Sequence, residues 1–310
     1  MLALSVDHHS LAVLGFSAYI PCGAEHGTLL FTPKEKRVFI PVETCTDEFS
    51  EEAAAFGYCA ACGSVHSVPY GQARFYAKAL MQELEDKGDM LLPVPEGVAD
   101  RHIIQSKLDA LEGDPHYSLD YLWGKALGQM LGIMVCKKQD GTVGIVRAFS
   151  GQYDRMYEIP GWVPPVMDLG RYNEVYSVGN KVVNEYSERI AALDPAETTL
   201  LRQLKQERKA CSRALMDELY GVYVLGNFKG EQKQLKDVFF SKQGMRTGTA
   251  DCCAPKLIHY AQQNQLTPLG IAEFFFGAEN KSQTRQHGNF YEACGEKCQP
   301  ILGFMLCGLT

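Results

Sequence analysis

Two short runs of mostly apolar residues lie near the middle of the chain, at 131–137 and 143–149. Both runs are rich in residues that favour strands, and the dipeptide Asp140-Gly141 lies between them. Asp-Gly between two such runs is a strong signal for a tight turn. The pattern therefore predicts a β-hairpin.

Other segments repeat their apolar positions at the period of a helix. Residues 72–87 carry Phe75, Leu80 and Leu84 at this spacing, with Gly88 as a stop, and a second helix is predicted over 101–112. A long helical region follows the hairpin, with Asp194-Pro195 as a predicted helix start. One stripe of this region is apolar and indicates a core or a helix–helix seam; it comprises Leu200, Leu204, Cys211, Leu215 and Leu219.

The last 65 residues predict the order helix, strand, helix. Asp251 is placed to cap the first helix, which runs to about residue 264. The apolar segment 268–276 predicts a strand that ends at Gly277, and the second helix is predicted from about Ala293.

The expected fold class is α+β, with a small strand-rich region at the N-terminus. Residues 1–70 contain the strand-like runs L-L-F-T-P and R-V-F-I-P-V, separated by proline and glycine. Residues 71–310 are predicted to form an α+β domain with a helical insertion at about 170–246.

Composition indicates a soluble protein without a membrane partner. The chain has 310 residues, of which 46% are hydrophobic, and none of its apolar runs approaches eighteen residues. The N-terminal residues do not follow the pattern of a secretory signal, so we expect a cytoplasmic location. In that compartment the eleven cysteines are expected to be reduced thiols, some of them metal ligands.

Charge is distributed unevenly along the chain. The formal net charge is −7, but residues 199–246 hold ten lysines and arginines against five acidic residues. A basic helical segment of this kind can contact RNA, although a solvated helix face is the simpler explanation. The candidate nucleic-acid-binding residues are Arg202, Lys205, Arg208, Lys209 and Arg213.

Three cysteines near predicted helix starts form a candidate metal site. Cys253 lies in the first turn of one helix, and Cys294 and Cys298 lie four residues apart at the start of another. A helix N-terminus favours thiolate, and three thiolates can hold zinc with a fourth position open. His287 is a candidate fourth ligand, and buried core thiols are the alternative.

The arrangement is similar in outline to that of zinc-dependent deaminases. Those enzymes place one ligand at a helix start, a second pair in P-C-x-x-C, and a glutamate that moves protons. Here Pro255 stands at the glutamate position, and the second pair has the spacing C-x-x-x-C. Glu273, on the intervening strand, is the candidate that replaces the catalytic glutamate, and a salt-bridged or edge-strand acid is the alternative.

A second cysteine motif lies near the N-terminus. Cys59-x-x-Cys62-x-x-x-His66 has the spacing of half a zinc site, which Cys22 or Cys45 would complete. Ordinary thiols in a loop are the other interpretation of these residues.

Several longer motifs carry a family resemblance. I-P-G-W-V-P-P-V-M-D, G-T-A-D-C-C-A-P-K-L, A-E-F-F-F-G and H-G-N-F-Y-E-A-C-G-E-K-C-Q-P-I-L follow one another in order. Over residues 120–310 the chain resembles the N-terminal extension of some bacterial RluA-type RNA pseudouridine synthases. The resemblance implies a role in RNA modification, with RNA and a pseudouridine synthase as partners.

Synthase activity itself does not follow from this resemblance. The catalytic aspartate of RluA-type enzymes lies in R-L-D, a motif that the chain does not contain. We therefore expect either a stand-alone accessory domain or part of a longer protein.

Three functional hypotheses remain open at this point. The first is a deaminase-like hydrolase with zinc as cofactor. The second is a non-catalytic module that binds RNA or a partner protein and in which the cysteines are structural. The third is a thiol redox protein that uses the adjacent Cys252 and Cys253.

Overall fold

The computed structural model describes residues 38–42, 48–96, 98, 100–124 and 126–309. The fold is mixed α+β, as predicted. The strands are β1 (Ile40–Pro41), β2 (Ser50–Cys59), β3 (Ser64–Gly71), β4 (Gln129–Lys137), β5 (Val143–Phe149), β6 (Val224–Gly226), β7 (Gln232–Gln234), β8 (Thr267–Phe276) and β9 (Phe290–Tyr291). The α-helices are α1 (Ala73–Lys87), α2 (Arg101–Leu111), α3 (Asp120–Trp123), α4 (Leu169–Ala191), α5 (Thr198–Tyr220), α6 (Leu235–Val238), α7 (Cys253–Gln263) and α8 (Gln299–Met305).

A five-stranded antiparallel sheet with the strand order β1-β5-β4-β8-β9 forms the centre of the fold. The predicted hairpin is confirmed as β4 and β5. Its turn is closed by Asp140, whose Oδ1 accepts a hydrogen bond from the Thr142 backbone N–H at 2.9 Å. β8 pairs with β4 along its whole length, in a register that places Gly132 opposite Glu273.

Different elements cover the two faces of this sheet. On one face α7 approaches so closely that a Cβ atom on Gly132 would lie 2.8 Å from Cβ of Cys253. On the other face β3 crosses β8, where Gly270 lies against the backbone of Tyr70. Because both contacts need a residue without a side chain, these two glycines determine how closely the layers approach.

The N-terminal region is strand-rich in its described part. β2 and β3 form an antiparallel hairpin, and α8 packs across β2. Gly57 of β2 and Gly303 of α8 lie backbone against backbone at this crossing. Part of the predicted R-V-F-I-P-V strand is present as β1, whereas L-L-F-T-P lies outside the described residues.

The helical insertion is a hairpin of two long helices, α4 and α5. Each has 23 residues and is therefore about 34 Å long. Leu204, Leu215 and Leu219 of the predicted apolar stripe are buried, and Leu215 packs against Gly179 of α4. None of the α4 residues is fully buried, so most of this hairpin projects from the domain.

Two predicted helix starts lie elsewhere in the structure. α5 begins at Thr198 rather than at Pro195, because Asp194 closes a preceding turn by accepting from the Ala196 backbone N–H at 2.8 Å. α8 begins at Gln299 rather than near Ala293. The carbonyl oxygen of Cys294 accepts hydrogen bonds from both Cys298 and Gln299, so residues 294–298 form a tight turn ahead of the helix.

Candidate metal centre

Three sulfur atoms meet where the start of α7 faces the turn before α8. They belong to Cys252, Cys294 and Cys298 and lie within 4.8 Å of one another. The Sγ atoms of Cys252 and Cys294 are 4.0 Å apart, and those of Cys294 and Cys298 are 3.3 Å apart. We call these three residues the three-cysteine cluster.

Cys252, rather than Cys253, supplies the first sulfur of this cluster. Cys252 is the N-cap of α7 and has an extended backbone (φ −70°, ψ 167°), whereas Cys253 is already helical. The change of backbone conformation turns the two side chains in different directions. The thiol of Cys253 lies beneath the helix, 3.3 Å from the carbonyl oxygen of Met130 and 3.7 Å from that of Ala148, and burial raises its pKa.

The cluster has the dimensions of a thiolate metal site. Sulfurs in a tetrahedral zinc site lie about 3.8 Å apart, because each Zn–S bond is about 2.3 Å long. The two measured separations lie on either side of that value. Hydrogen bonds with Cys252 and Cys298 lower the pKa of Cys294, which favours the thiolate form that binds metal. The three cysteines can therefore hold a metal ion with a fourth position left open.

Glu273 lies beside this cluster inside the protein. Its side chain is only 6% exposed, and β9 covers it from the edge of the sheet. A backbone hydrogen bond from Ala254, at the start of α7, reaches the carboxylate. Among the described residues Oε1 of Glu273 has no hydrogen-bond partner. Burial raises the pKa of Glu273 to about 8, and the charge of Cys294 acts in the same direction.

His287, the predicted fourth ligand, is held in a different place. Its Nδ1 accepts a hydrogen bond from the Gly277 backbone N–H at 3.1 Å, and its Nε2 lies 3.2 Å from Oε1 of Glu85. The ring also packs against Trp123 and Phe276. Both ring nitrogens are therefore committed to other partners, and the structure does not bring His287 to the three-cysteine cluster.

Two charged residues near the cluster were not among the predicted site residues. Lys256 is buried on α7 and donates to the carbonyl oxygens of Phe149 and Gly151 at 2.9 and 2.8 Å. The sequence predicted that Asp251 caps α7, but its side chain does not do so. Its Oδ1 instead accepts a hydrogen bond from the Tyr223 hydroxyl at 2.9 Å, and burial raises its pKa.

The second cysteine motif also gathers into a group. Cys59, Cys62 and His66 lie together, and the fourth member is Cys307, in the turn that follows α8. The two cysteines proposed to complete this motif, Cys22 and Cys45, lie outside the described residues. Cys307 is far away in the sequence, so only the packing of α8 on β2 could reveal it.

Four of the five predicted RNA-binding residues share one exposed side of α5. At 100° per residue they fall within about 80° around the helix axis. We call these four residues the α5 basic stripe: Arg202, Lys205, Lys209 and Arg213. Arg208 lies outside the stripe, half-buried towards α4, where it donates to Oγ of Ser187 at 3.4 Å.

Comparison with known proteins gives no matching family model, curated protein or solved structure. Within the described ranges, no helix combines the length and the apolar character that crossing a bilayer requires.

Proposed function

We propose that the protein is a zinc-dependent hydrolase of the deaminase type that acts on a nucleobase in RNA. The observation that carries this proposal is the juxtaposition of three metal-binding thiols with a buried glutamate whose Oε1 has no hydrogen-bond partner among the described residues. Three protein ligands with an open fourth position are typical of catalytic rather than structural zinc.

The chemistry would be hydrolysis of an amidine. Water adds to the ring carbon that bears the exocyclic amino group, the C–N bond breaks, and ammonia leaves while a carbonyl forms. Zinc held by Cys252, Cys294 and Cys298 would supply a Lewis acid that lowers the pKa of the attacking water.

Glu273 would carry the proton in this reaction. It would take a proton from the water and deliver one to the departing amino group, as the separate glutamate of zinc deaminases does. Its position on β8 differs from the helix position of that glutamate, which lies two residues after the first ligand. With Cys252 as that ligand the position is Ala254, rather than the Pro255 that Cys253 would have implied. Burial favours this role, because a carboxyl group with a raised pKa can accept and return a proton near neutral pH.

The α5 basic stripe would hold the RNA. Among the described contacts none of its four side chains has an acidic partner, so their charge remains available for phosphate. Together with the resemblance to pseudouridine synthase extensions, this favours RNA as the substrate and a pseudouridine synthase as a partner.

A non-catalytic RNA- or partner-binding module is the second candidate function. Ala254 favours it, because it stands two residues after Cys252, at the helix position from which zinc deaminases move protons, and carries no acid. In that case the three-cysteine cluster would only tie α7 to the turn before α8.

Replacing Glu273 with glutamine separates the two functions. We expect Glu273→Gln to keep its zinc and its RNA affinity and to lose at least about 100-fold in the release of ammonia from RNA or nucleosides, since proton transfer contributes this much. Ala272→Ser, at the neighbouring position of β8, is the control and should retain turnover. If the wild-type protein contained its full zinc content but deaminated no nucleobase, the hydrolase would be rejected and the non-catalytic binding module would remain.

A further inference from the structure

The group at the other end of α8 has the composition of a closed metal site. It contains three cysteines and one histidine, and one ligand atom from each lies within 4.8 Å of the others. Sγ of Cys62 is 3.7 Å from Sγ of Cys307 and 3.0 Å from Nε2 of His66. Tetrahedral zinc separates two sulfurs by about 3.8 Å and a sulfur from a nitrogen by about 3.5 Å.

The β2–β3 turn presents three of these ligands together. The Gly63 backbone N–H donates to the carbonyl oxygen of Cys59 at 2.9 Å, and Gly63 has φ +71°. This left-handed residue lets the chain reverse directly after Cys62, so that Cys62 lies over Cys59 and the next strand brings in His66.

α8 delivers the fourth ligand. Its crossing with β2 at Gly57 and Gly303 places the last turn of the helix over the β2–β3 turn. The carbonyl oxygen of Cys307 accepts a hydrogen bond from the Phe228 backbone N–H at 3.0 Å, which holds this end of the chain in place. Cys59 and Cys307 are buried and Cys62 is exposed, so the group lies at the surface with its inner side in the core.

We propose that Cys59, Cys62, His66 and Cys307 bind a second, structural zinc ion. The four protein ligands complete a tetrahedral shell, in contrast to the three-cysteine cluster, which leaves one position open. This site would join the N-terminal strand hairpin to the end of α8. Cys298 lies immediately before the same helix, so the second zinc would also help to position the three-cysteine cluster.

The zinc content of the purified protein tests this proposal. Protein purified without added metal should contain about two zinc ions per chain, and Cys62→Ser and Cys307→Ser should each contain about one. Cys211→Ser is the matched control, because Cys211 is a half-buried thiol on α5 outside both groups. It should keep both ions.

A pair of substitutions at His66 distinguishes metal binding from a packing role. His66→Cys should retain the second zinc, since four thiolates also form a stable site, whereas His66→Ala should lose it. Circular dichroism should show folded protein for both. Zinc content that stays unchanged in Cys62→Ser, Cys307→Ser and His66→Ala overturns the proposal, as does a Cys62–Cys307 disulfide in protein purified under reducing conditions.

The same measurements separate this site from the proposed catalytic one. Cys294→Ser should lose one zinc ion and keep the second. Zinc that is lost in Cys62→Ser but unaffected by Cys294→Ser would support the structural site and remove the basis of the hydrolase.

Discussion

Gly303 of α8 lies so close to Tyr58 of β2 that a Cβ atom on Gly303 would collide with the Tyr58 backbone carbonyl. No flexible side chain can move aside, because the obstacle is main chain. This contact brings the end of α8, and with it Cys307, to the β2–β3 turn.

Gly303→Ala should therefore destabilise the protein. We expect the free energy of unfolding, measured by urea denaturation, to fall by about 3 kcal/mol, the upper part of the range for overpacking. The second zinc proposed to bind through Cys307 should be lost as well. Gly244→Ala is the control, since a Cβ there meets no atom within 4 Å, and it should change stability by less than about 0.5 kcal/mol. A Gly303→Ala protein as stable as the control would contradict the close crossing of α8 and β2.

Serine substitutions at the two adjacent cysteines should differ in their effect. Cys252→Ser should remove zinc from the three-cysteine cluster, because the N-cap side chain faces Cys294. Cys253→Ser should retain that zinc, since its thiol points to the carbonyl oxygen of Met130. Metal analysis of the two purified variants checks this. If instead Cys253→Ser lost the zinc and Cys252→Ser kept it, Cys253 would be the ligand, as its position in the sequence suggested.

The α5 basic stripe should determine how RNA affinity depends on salt. Replacing Arg202, Lys205 and Lys209 with glutamine should weaken binding and reduce the slope of log K against log salt by about 2, at 0.7 per phosphate contact on single strands. The control replaces Lys87, Lys137 and Lys281, three exposed lysines outside α5. Fluorescence anisotropy at several salt concentrations provides both slopes. If both triple variants lost the same RNA affinity and the same part of the salt slope, the α5 basic stripe would have no special role in RNA binding.

His259 should make the protein sensitive to acid. Its Nδ1 is buried without a hydrogen-bond partner among the described residues, and burial lowers its pKa from 6.5 to about 4. The unfolded state then binds a proton that the folded state does not, so stability is highest above pH 6.5 and falls as the pH approaches 4.

Between pH 7 and pH 5 this residue should account for about 2 kcal/mol of lost stability. His259→Gln should lack that part of the pH dependence when unfolding by urea is measured at both values. His102→Gln, on the exposed side of α2, should behave as the wild type. An unchanged pH dependence in His259→Gln would show that this imidazole protonates freely in the folded state.

Local patterns in the sequence predicted the elements that depend on neighbouring residues alone. The Asp140-Gly141 turn, the 3.6-residue period of α1 and α7, and the apolar run of β8 each lie within one short segment. The α5 basic stripe was predictable for the same reason, because its members repeat along a single helix. Helix starts were less accurate, since Asp194 can close a turn as well as cap a helix.

Such patterns could not decide whether Cys252 or Cys253 belongs to the three-cysteine cluster. One residue of offset at the start of α7 changes the backbone from extended to helical and turns the side chain by a large angle. Spacing along the chain therefore identified the right helix start but not the right thiol. Only the turn before α8, which supplies the other two sulfurs, distinguishes them.

The sequence by itself determined the fold class, the β4–β5 hairpin, the existence of the long helices and the presence of cysteines at chain positions that suit a metal. The tertiary structure alone decided which side chains meet. Cys307 lies 245 residues after Cys62, and His287 pairs with Glu85 across 202 residues. Contacts over such separations depend on how layers pack, here on the glycines where α8 crosses β2, and no period along the chain encodes that packing.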